Sequence, residues 1–355
     1  MKKVLAASVL VLIASFVLQS CAPTNPHLTE AKISMNRDDL QKAQKELALV
    51  LETQPDNVEA CYLEGYIHFK QETWNKMNDS FKKVKQLDPE YEKENIANMS
   101  LKAFGVLRGT GINEKFNAAV QIVSADPEKA EKLFKLALSD LELADDIKND
   151  DFITKYIIGM IHLQLGEKDK AEELFLEALK YGDFAVDGGN YVSAYINLSN
   201  IYTERNELDK AFETLTKILE FDPTNNDALL QTAKYYESKE EYDKALPMYE
   251  KMLESDPENV DILFNQGIMY KKIGKIDEAI ANFEKIVQLK PEDGEATYFL
   301  GEFYSQKEEF QKVADLLEPK FENMTPEWQD KVRDSIQIAL VRLGRAKEAQ
   351  KYMKK

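Results

Sequence analysis

The chain has 355 residues, of which 44% are apolar and 31% are charged, so it can bury a substantial core. Its 14 glycines and 11 prolines are too few for a disordered chain or a turn-rich all-β protein. The 63 acidic and 46 basic residues give a net charge of −17, and a surface of that sign repels phosphate backbones. Nucleic-acid binding is therefore disfavoured, and two cysteines exclude a disulfide framework.

The first residues have the composition of a secretory leader. Two lysines precede an apolar run from Val4 to Leu18, which is short for a membrane span but typical of a signal-peptide core. The four residues that end at Cys21 resemble the bacterial lipobox. This resemblance implies that residues 1–20 are a lipoprotein signal peptide and that Cys21 carries acyl chains, which together hold a protein on a membrane. A plain secretory leader or an uncleaved anchor are the alternatives.

The residues after Cys21 suggest where the protein is located. Ala22 follows the cysteine, and by resemblance to proteobacterial sorting a residue other than aspartate favours the outer membrane. We therefore expect a lipid-anchored protein of the bacterial cell envelope, on the outer membrane and facing the periplasm. Residues 21–26 predict a short tether.

Prolines recur at a fixed interval in the body of the chain. Pro55 and Pro89 are 34 residues apart, and so are Pro223, Pro257 and Pro291. This period and the residues in register with it resemble the tetratricopeptide repeat (TPR) family, in which each unit is a pair of antiparallel helices. Small residues recur on the first helix of each unit, helix A, and large apolar ones on the second, helix B. Those small residues are Gly65, Gly159, Ser199, Ala233, Gly267 and Gly301.

The pattern has a physical basis in each unit. Small side chains such as Gly267 and Ala279 allow helices A and B to approach closely, and a large ring such as Phe283 fills the space beside them. The closing proline lacks an N–H and ends the helix. Asn57, Asn225 and Asn259 follow where the next helix needs a cap.

These observations predict an all-α, TPR-type helical-hairpin solenoid. We expect an N-terminal array over residues 27–181, a loop or hinge over 182–190, and a C-terminal array over 191–355 that ends in a polar cap. The array is modified near 91–147, where the pattern predicts three helices, at 91–108, 113–124 and 127–147. Gly105, Gly109 and Gly111 are expected to break that stretch.

No constellation of residues supports catalysis, so we expect no enzyme, no cofactor and no metal site. His68 and His162 occupy the repeat position that holds tyrosine in other units, and packing explains them better than metal binding does. No P-loop, Gly-x-Ser-x-Gly elbow or Cys-x-x-Cys is present. Cys61 is expected to be a small buried apolar residue, and a reactive thiol is the alternative.

In TPR proteins the A helices line the concave surface that holds the ligand. By register, Tyr62, Tyr66 and Phe69 lie on that face of the second unit, and Tyr156 and Met160 on that of a later one. These large apolar side chains predict an apolar pocket for a peptide or a helix. The alternative is that residues 91–147 fold over them and use them as core.

The same face is polar in the C-terminal array. Asn197, Gln231 and Asn265 share one register position, and Asn200 lies one turn from Asn197. Amide side chains can both donate to and accept from a peptide backbone, and some TPR proteins use an asparagine ladder in this way. Ordinary polar groove residues are the alternative.

Together these patterns predict a membrane-anchored scaffold or adaptor that binds envelope proteins or peptides in its concave groove. One alternative is an accessory protein of an exopolysaccharide or pilus export machine. A further alternative is a periplasmic enzyme that uses the repeats as a frame. Choosing a particular pathway would depend on fold analogy alone.

Overall fold

The computed structural model describes residues 25–353. The predicted signal peptide, Cys21 and most of the predicted tether lie outside the described residues. The chain divides into two compact units, unit 1 up to Asn190 and unit 2 from Tyr191. Between residues 25 and 353 no helix is both long and apolar enough to span a bilayer.

Unit 1 is built from helices that pack as successive antiparallel pairs. The helices are α1 (Pro26–Asn36), α2 (Leu40–Thr53), α3 (Val58–Lys70), α4 (Trp74–Leu87), α5 (Lys93–Gly109), α6 (Asn117–Ile122), α7 (Pro127–Ile147), α8 (Phe152–Gln164) and α9 (Lys168–Ala178). A π-helical segment, Thr110–Phe116, joins α5 to α6.

Unit 2 repeats the paired arrangement. Its helices are α10 (Phe184–Glu204), which begins before the division, α11 (Leu208–Phe221), α12 (Asn226–Ser238), α13 (Tyr242–Ser255), α14 (Val260–Lys272), α15 (Ile276–Leu289), α16 (Gly294–Gln306), α17 (Phe310–Leu317), α18 (Pro326–Arg342) and α19 (Ala346–Ala349). In the described part of the chain no residue belongs to a β-strand. The predicted fold class is therefore confirmed.

One turn geometry joins helix A to helix B in each regular pair. The first residue after the turn donates its N–H to the carbonyl five positions earlier, as Glu241 does to Tyr236 at 2.9 Å. The residue before it has a positive φ, 59° at Glu240 and 80° at Gly274, which is the left-handed conformation of this helix ending. The same bond recurs at Asp39, Thr73, Glu167, Glu207, Lys275, Glu309 and Arg345.

The predicted caps and close contacts are present. The side chain of Asn259 accepts a hydrogen bond from the N–H of Ile262 at 3.1 Å, and Asn57 and Asn225 cap their own helices in the same way. A Cβ atom on Gly267 would lie 2.6 Å from the ring of Phe283. Glycine at this position therefore allows the ring of helix B to lie against the backbone of helix A.

The modified segment differs from its prediction. Residues 91–108 and 113–124 were expected to be separate helices, but helical structure is continuous from Lys93 to Ile122 through the π-helical segment. None of the three glycines breaks it. Gly111 is buried where a Cβ would lie 2.7 Å from Leu141, so it permits close packing against α7. The segment is a single long hairpin.

Two other expectations are corrected. Residues 182–190 were predicted as a loop or hinge; the structure instead has helical turns from Phe184, and these are interrupted at Gly188, where φ is 47° and ψ is −117°. Gly188 thus separates two helical stretches within α10, in a backbone conformation with positive φ that glycine adopts readily. The C-terminal end is also not uniformly polar, because Ile338 and Val341 are 54% and 55% exposed.

Candidate functional site

The predicted aromatic residues of α3 are half-buried, and they differ in what covers them. Tyr62 stacks on Phe81 and meets the edge of Tyr91, with ring centres 6.2 and 5.7 Å apart. Tyr91 lies at the start of the modified segment, which therefore covers Tyr62. Tyr66 and Phe69 are closer to the far end of α3, where Phe69 lies against Trp74. The open part of this surface is at Tyr66 and Phe69.

The two residues of α8 that were predicted to line the groove, Tyr156 and Met160, differ in their exposure to solvent. Tyr156 is only 7% exposed, and its ring stacks between Phe152 and Phe175, with both ring centres 5.8 Å away. Met160, one turn later, is partly exposed. Tyr156 therefore contributes to the packing of its unit, and Met160 is the residue of this pair that retains accessible surface.

The amide residues of unit 2 lie on successive A helices. Asn200 is exposed, whereas Asn197, Gln231 and Asn265 are partly exposed. Gln231 accepts a hydrogen bond from Ser199 Oγ at 3.2 Å, so a contact already links α12 to α10. Asn265 borders a shallow depression between α14 and α16; its other lining residues are Val260, Asp261, Phe264, Lys290, Asp293 and Glu295.

Unit 1 contains a buried charge that the repeat pattern did not predict. Lys155 is 1% exposed at a position that holds an uncharged residue in most other repeats, and its Nζ lies 2.9 Å from Asp145 and 3.0 Å from Glu177. Burial alone would lower the pKa of Lys155, but the two carboxylates more than offset it and raise the pKa. Burial raises the pKa of Asp145. The cluster links α7, α8 and α9 and has no accessible nucleophile.

Two histidines, His68 and His162, are buried, and so is Cys61. The Nδ1 atoms of the two histidines lie 2.9 Å from Thr73 Oγ1 and 2.8 Å from Glu167 Oε2, across the turn between helices A and B. Burial lowers the pKa of His68 and raises that of the Cys61 thiol. Within residues 25–353 no group of histidine, cysteine and acidic residues could hold a metal ion.

Sequence reasoning missed the exposed side of α5. Leu101 is 54% exposed there, and Gly105 follows one turn later with nothing within 4 Å of where its Cβ would lie. The 34-residue register is interrupted in this segment, so no repeat position assigned these residues to the groove. An amphipathic pattern read on α5 alone, with Ile96, Met99 and Ala103 as its buried side, could have located them.

Comparison with known proteins detects a repeat family in part of the chain. Models of the tetratricopeptide repeat match residues 156–226, 227–259 and 248–281. These matched segments, which include α9 to α14, are tetratricopeptide repeats. The pairs outside them, such as α1–α2 and α16–α17, share the same turn and the same all-α arrangement.

Several solved structures are similar at low identity. A tetratricopeptide repeat protein from Parabacteroides merdae is 17% identical over 69% of this chain and 91% of its own, with a TM-score of 0.41. MamA is 20% identical over 54% and 97%, with a TM-score of 0.37. YrrB, described as a TPR protein with an unusual peptide-binding site, is 18% identical over 53% and 93%, with a TM-score of 0.39. No curated protein matches the chain.

Proposed function

We propose that the protein is a membrane-anchored scaffold or adaptor of the bacterial envelope, which binds proteins or peptides on the surface formed by its A helices. One observation carries the binding part of this proposal. The A helices keep side chains with accessible surface, partly buried aromatic ones at Tyr66 and Phe69 in unit 1 and amide ones at Asn200 and Asn265 in unit 2. Repeat arrays commonly present such surfaces to partners.

The lipid anchor and the envelope location derive from the leader sequence. Acylation of Cys21 would hold the body at a membrane surface, and tetratricopeptide repeats there would bring partners to that membrane. We propose no catalytic step for this chain.

Photocrosslinking in intact cells tests the binding surface. A photoreactive amino acid placed at Asn265, on an A helix, is expected to crosslink to a discrete partner. The matched control is Lys251, which is exposed on α13, a B helix that also belongs to unit 2. Equal crosslinking at both positions, or none at Asn265, would contradict the proposal that the A helices form the binding face.

A further inference from the structure

The first A helix, α1, keeps an apolar residue exposed at a position that later A helices bury against the pair before them. Ile33 and Ile67 share this position, which lies just before the residue whose carbonyl accepts the turn hydrogen bond. Ile67 is completely buried, in one cluster with Leu47 and Val50 of the preceding pair. Residues at the same position of later A helices are also buried, at Ile161, Ile201, Met269 and Phe303. Ile33 is 37% exposed, because in the described part of the chain no helix precedes α1.

The second helix, α2, contributes a leucine to the same side of the first pair. Lys83 and Lys285, on later B helices, reach back to the carbonyls of Pro55 and Pro257, which close the preceding pairs. Leu49 has the register position of Lys83 and is 43% exposed. The first pair therefore has leucine where these later pairs have a lysine that bonds to the pair before it.

The charged side chains of α1 are directed away from this side. Glu30 pairs with Lys42 on α2, and Lys32 pairs with Glu59 on α3. Lys32 also has the register position of Tyr66, so the groove side of α1 is a different surface. The exposed residues that lie one turn from Ile33 on its own side are uncharged, and they are Thr29 and Asn36.

The exposed charges around this side are nearly balanced. Arg37 and Asp38 follow the end of α1, and Lys45 and Glu52 lie about one turn before and after the exposed leucine of α2. Residues 25–53 contain five acidic and four basic residues, whereas the chain has a net charge of −17. The first pair therefore lacks the acidic excess that anionic lipids would repel.

The proposed anchor is close to α1 along the chain. Asn25, which caps α1, is four residues after Cys21, and four peptide links span at most about 14 Å. A helix with its side chains is about 10–12 Å in diameter. Acyl chains on Cys21 would hold that residue at the bilayer surface, so α1 would begin within little more than one helix diameter of the headgroups.

We propose that the outer face of the first pair, formed by Thr29, Ile33, Asn36 and Leu49, lies against the lipid headgroups of the membrane that carries the anchor. A bilayer surface is flat on this scale, so the contact requires no cavity. Ile33 and Leu49 insert among the headgroups, and the uncharged residues beside them allow the approach. The acyl chains supply the affinity, and this contact orients the first pair on the membrane. The inference deepens the proposed function and rests on its lipid anchor.

Fluorescence quenching tests the contact in the acylated protein, reconstituted into vesicles of phosphatidylethanolamine and phosphatidylglycerol whose headgroups carry a nitroxide quencher. The fluorophore is attached to Ile33→Cys or, as the matched control, to Leu176→Cys, since Leu176 is 45% exposed on α9. Cys61 is buried, and protein without an added cysteine gives the background. Interfacial contacts reach only about 5–10 Å into the headgroup region, so quenching at residue 33 should exceed that at residue 176 by about twofold or more.

An acidic substitution tests the role of the apolar residue. With the fluorophore on Asn36→Cys, adding Ile33→Glu should reduce quenching in these anionic vesicles, and added salt should restore part of it. Leu176→Glu is the control and should leave quenching at residue 36 unchanged. Circular dichroism should show all variants equally helical.

The outcomes separate this inference from the anchor on which it rests. A free Cys21 thiol, or loss of the protein from the vesicles in an alkaline wash, would contradict both. Equal quenching at residues 33 and 176 in acylated protein that stays bound would overturn the inference and leave the anchor intact. Excimer emission between pyrene labels at residue 33, without quenching by the headgroup nitroxide, would assign the outer face to a second copy of the chain instead.

Discussion

Gly267 shows how closely the packing of a pair depends on one residue. The ring of Phe283 occupies the space where a Cβ of residue 267 would be, at distances of 2.6 and 2.9 Å from two ring atoms. Gly159 has the same relation to Phe175 in unit 1, where the nearest ring atom would be 2.8 Å away. Both rings are completely buried and cannot move aside without leaving a cavity elsewhere.

We therefore expect Gly267→Ala to destabilise the protein. The added methyl group overpacks the contact between α14 and α15, at a cost of about 1–3 kcal/mol. Gly105→Ala is the matched control, since a Cβ there meets nothing within 4 Å and alanine is the better helix former. That control should raise stability by about 0.5–1 kcal/mol. Urea unfolding followed by circular dichroism measures both, and a stabilised Gly267→Ala variant would contradict the packing described here.

At the same scale, the repeat register predicted the exposure of some side chains better than that of others. Tyr66 and Phe69 were identified from the register alone and retain accessible surface. Tyr156 was assigned to the same face, but stacking with Phe152 and Phe175 buries it. Register gives the direction of a side chain from its helix, whereas burial depends on which neighbouring side chains cover it. The sequence pattern of one repeat does not show which neighbouring side chains will cover a residue.

At the scale of elements, the regular pairs were predictable because each depends on local signals. The proline and the capping asparagine act within a few residues of their own position, and the small residue of helix A meets a ring on helix B of the same pair. The closing prolines also have a role that the pattern did not predict. Lys320 Nζ donates to the carbonyl of Pro291 at 2.7 Å, and Lys83 and Lys285 bond to Pro55 and Pro257 in the same way. Lys83 and Lys285 thereby attach a later helix to the loop that closes the preceding pair, and Lys320 attaches the turn that follows α17.

The long hairpin was not predictable by the same signals. Glycines were interpreted as helix breakers, although glycine in a helix costs only about 1 kcal/mol relative to alanine and tertiary packing can offset that. Gly111 is needed where the π-helical segment approaches Leu141. Lys115 and Thr110 also bond to Asp140 across the hairpin, at 2.5 and 2.8 Å. These contacts join residues about 25–30 positions apart, and no local pattern reports them.

At the scale of the whole molecule, the proposed anchor is the feature that decides where the binding surfaces act. Several acyl chains on Cys21 would make detachment from a membrane negligible, because each buried CH₂ contributes about 0.8 kcal/mol. Cys21→Ala is therefore expected to move the protein from the membrane fraction to the soluble fraction. Cell fractionation with an alkaline carbonate wash measures this. Continued carbonate-resistant association of the variant would show that acylation of Cys21 is not the anchor.

The division of the chain into two units has a consequence for stability. In a repeat array each pair packs mainly on its neighbours, so a unit that contains complete pairs keeps its own core. The buried clusters of unit 2 illustrate this, since one joins Leu229 and Tyr249 and another joins Phe283 to Tyr352, all beyond Asn190. Unit 2 should therefore contain the interactions that its folding requires.

We expect a fragment of residues 191–355 to fold cooperatively, with a helical circular dichroism spectrum and a single thermal transition. A fragment that begins at Tyr242 is the control, because it separates α13 from α12 and exposes Leu246 and Tyr249, which pack against Leu229 and Ala233 in the intact pair. Exposure of these side chains costs about 1.5–3 kcal/mol each, so the control should melt about 10 °C or more below the complete unit. If the fragment of residues 191–355 is unfolded, or if both fragments melt at the same temperature, complete pairs are not the units of stability in this chain.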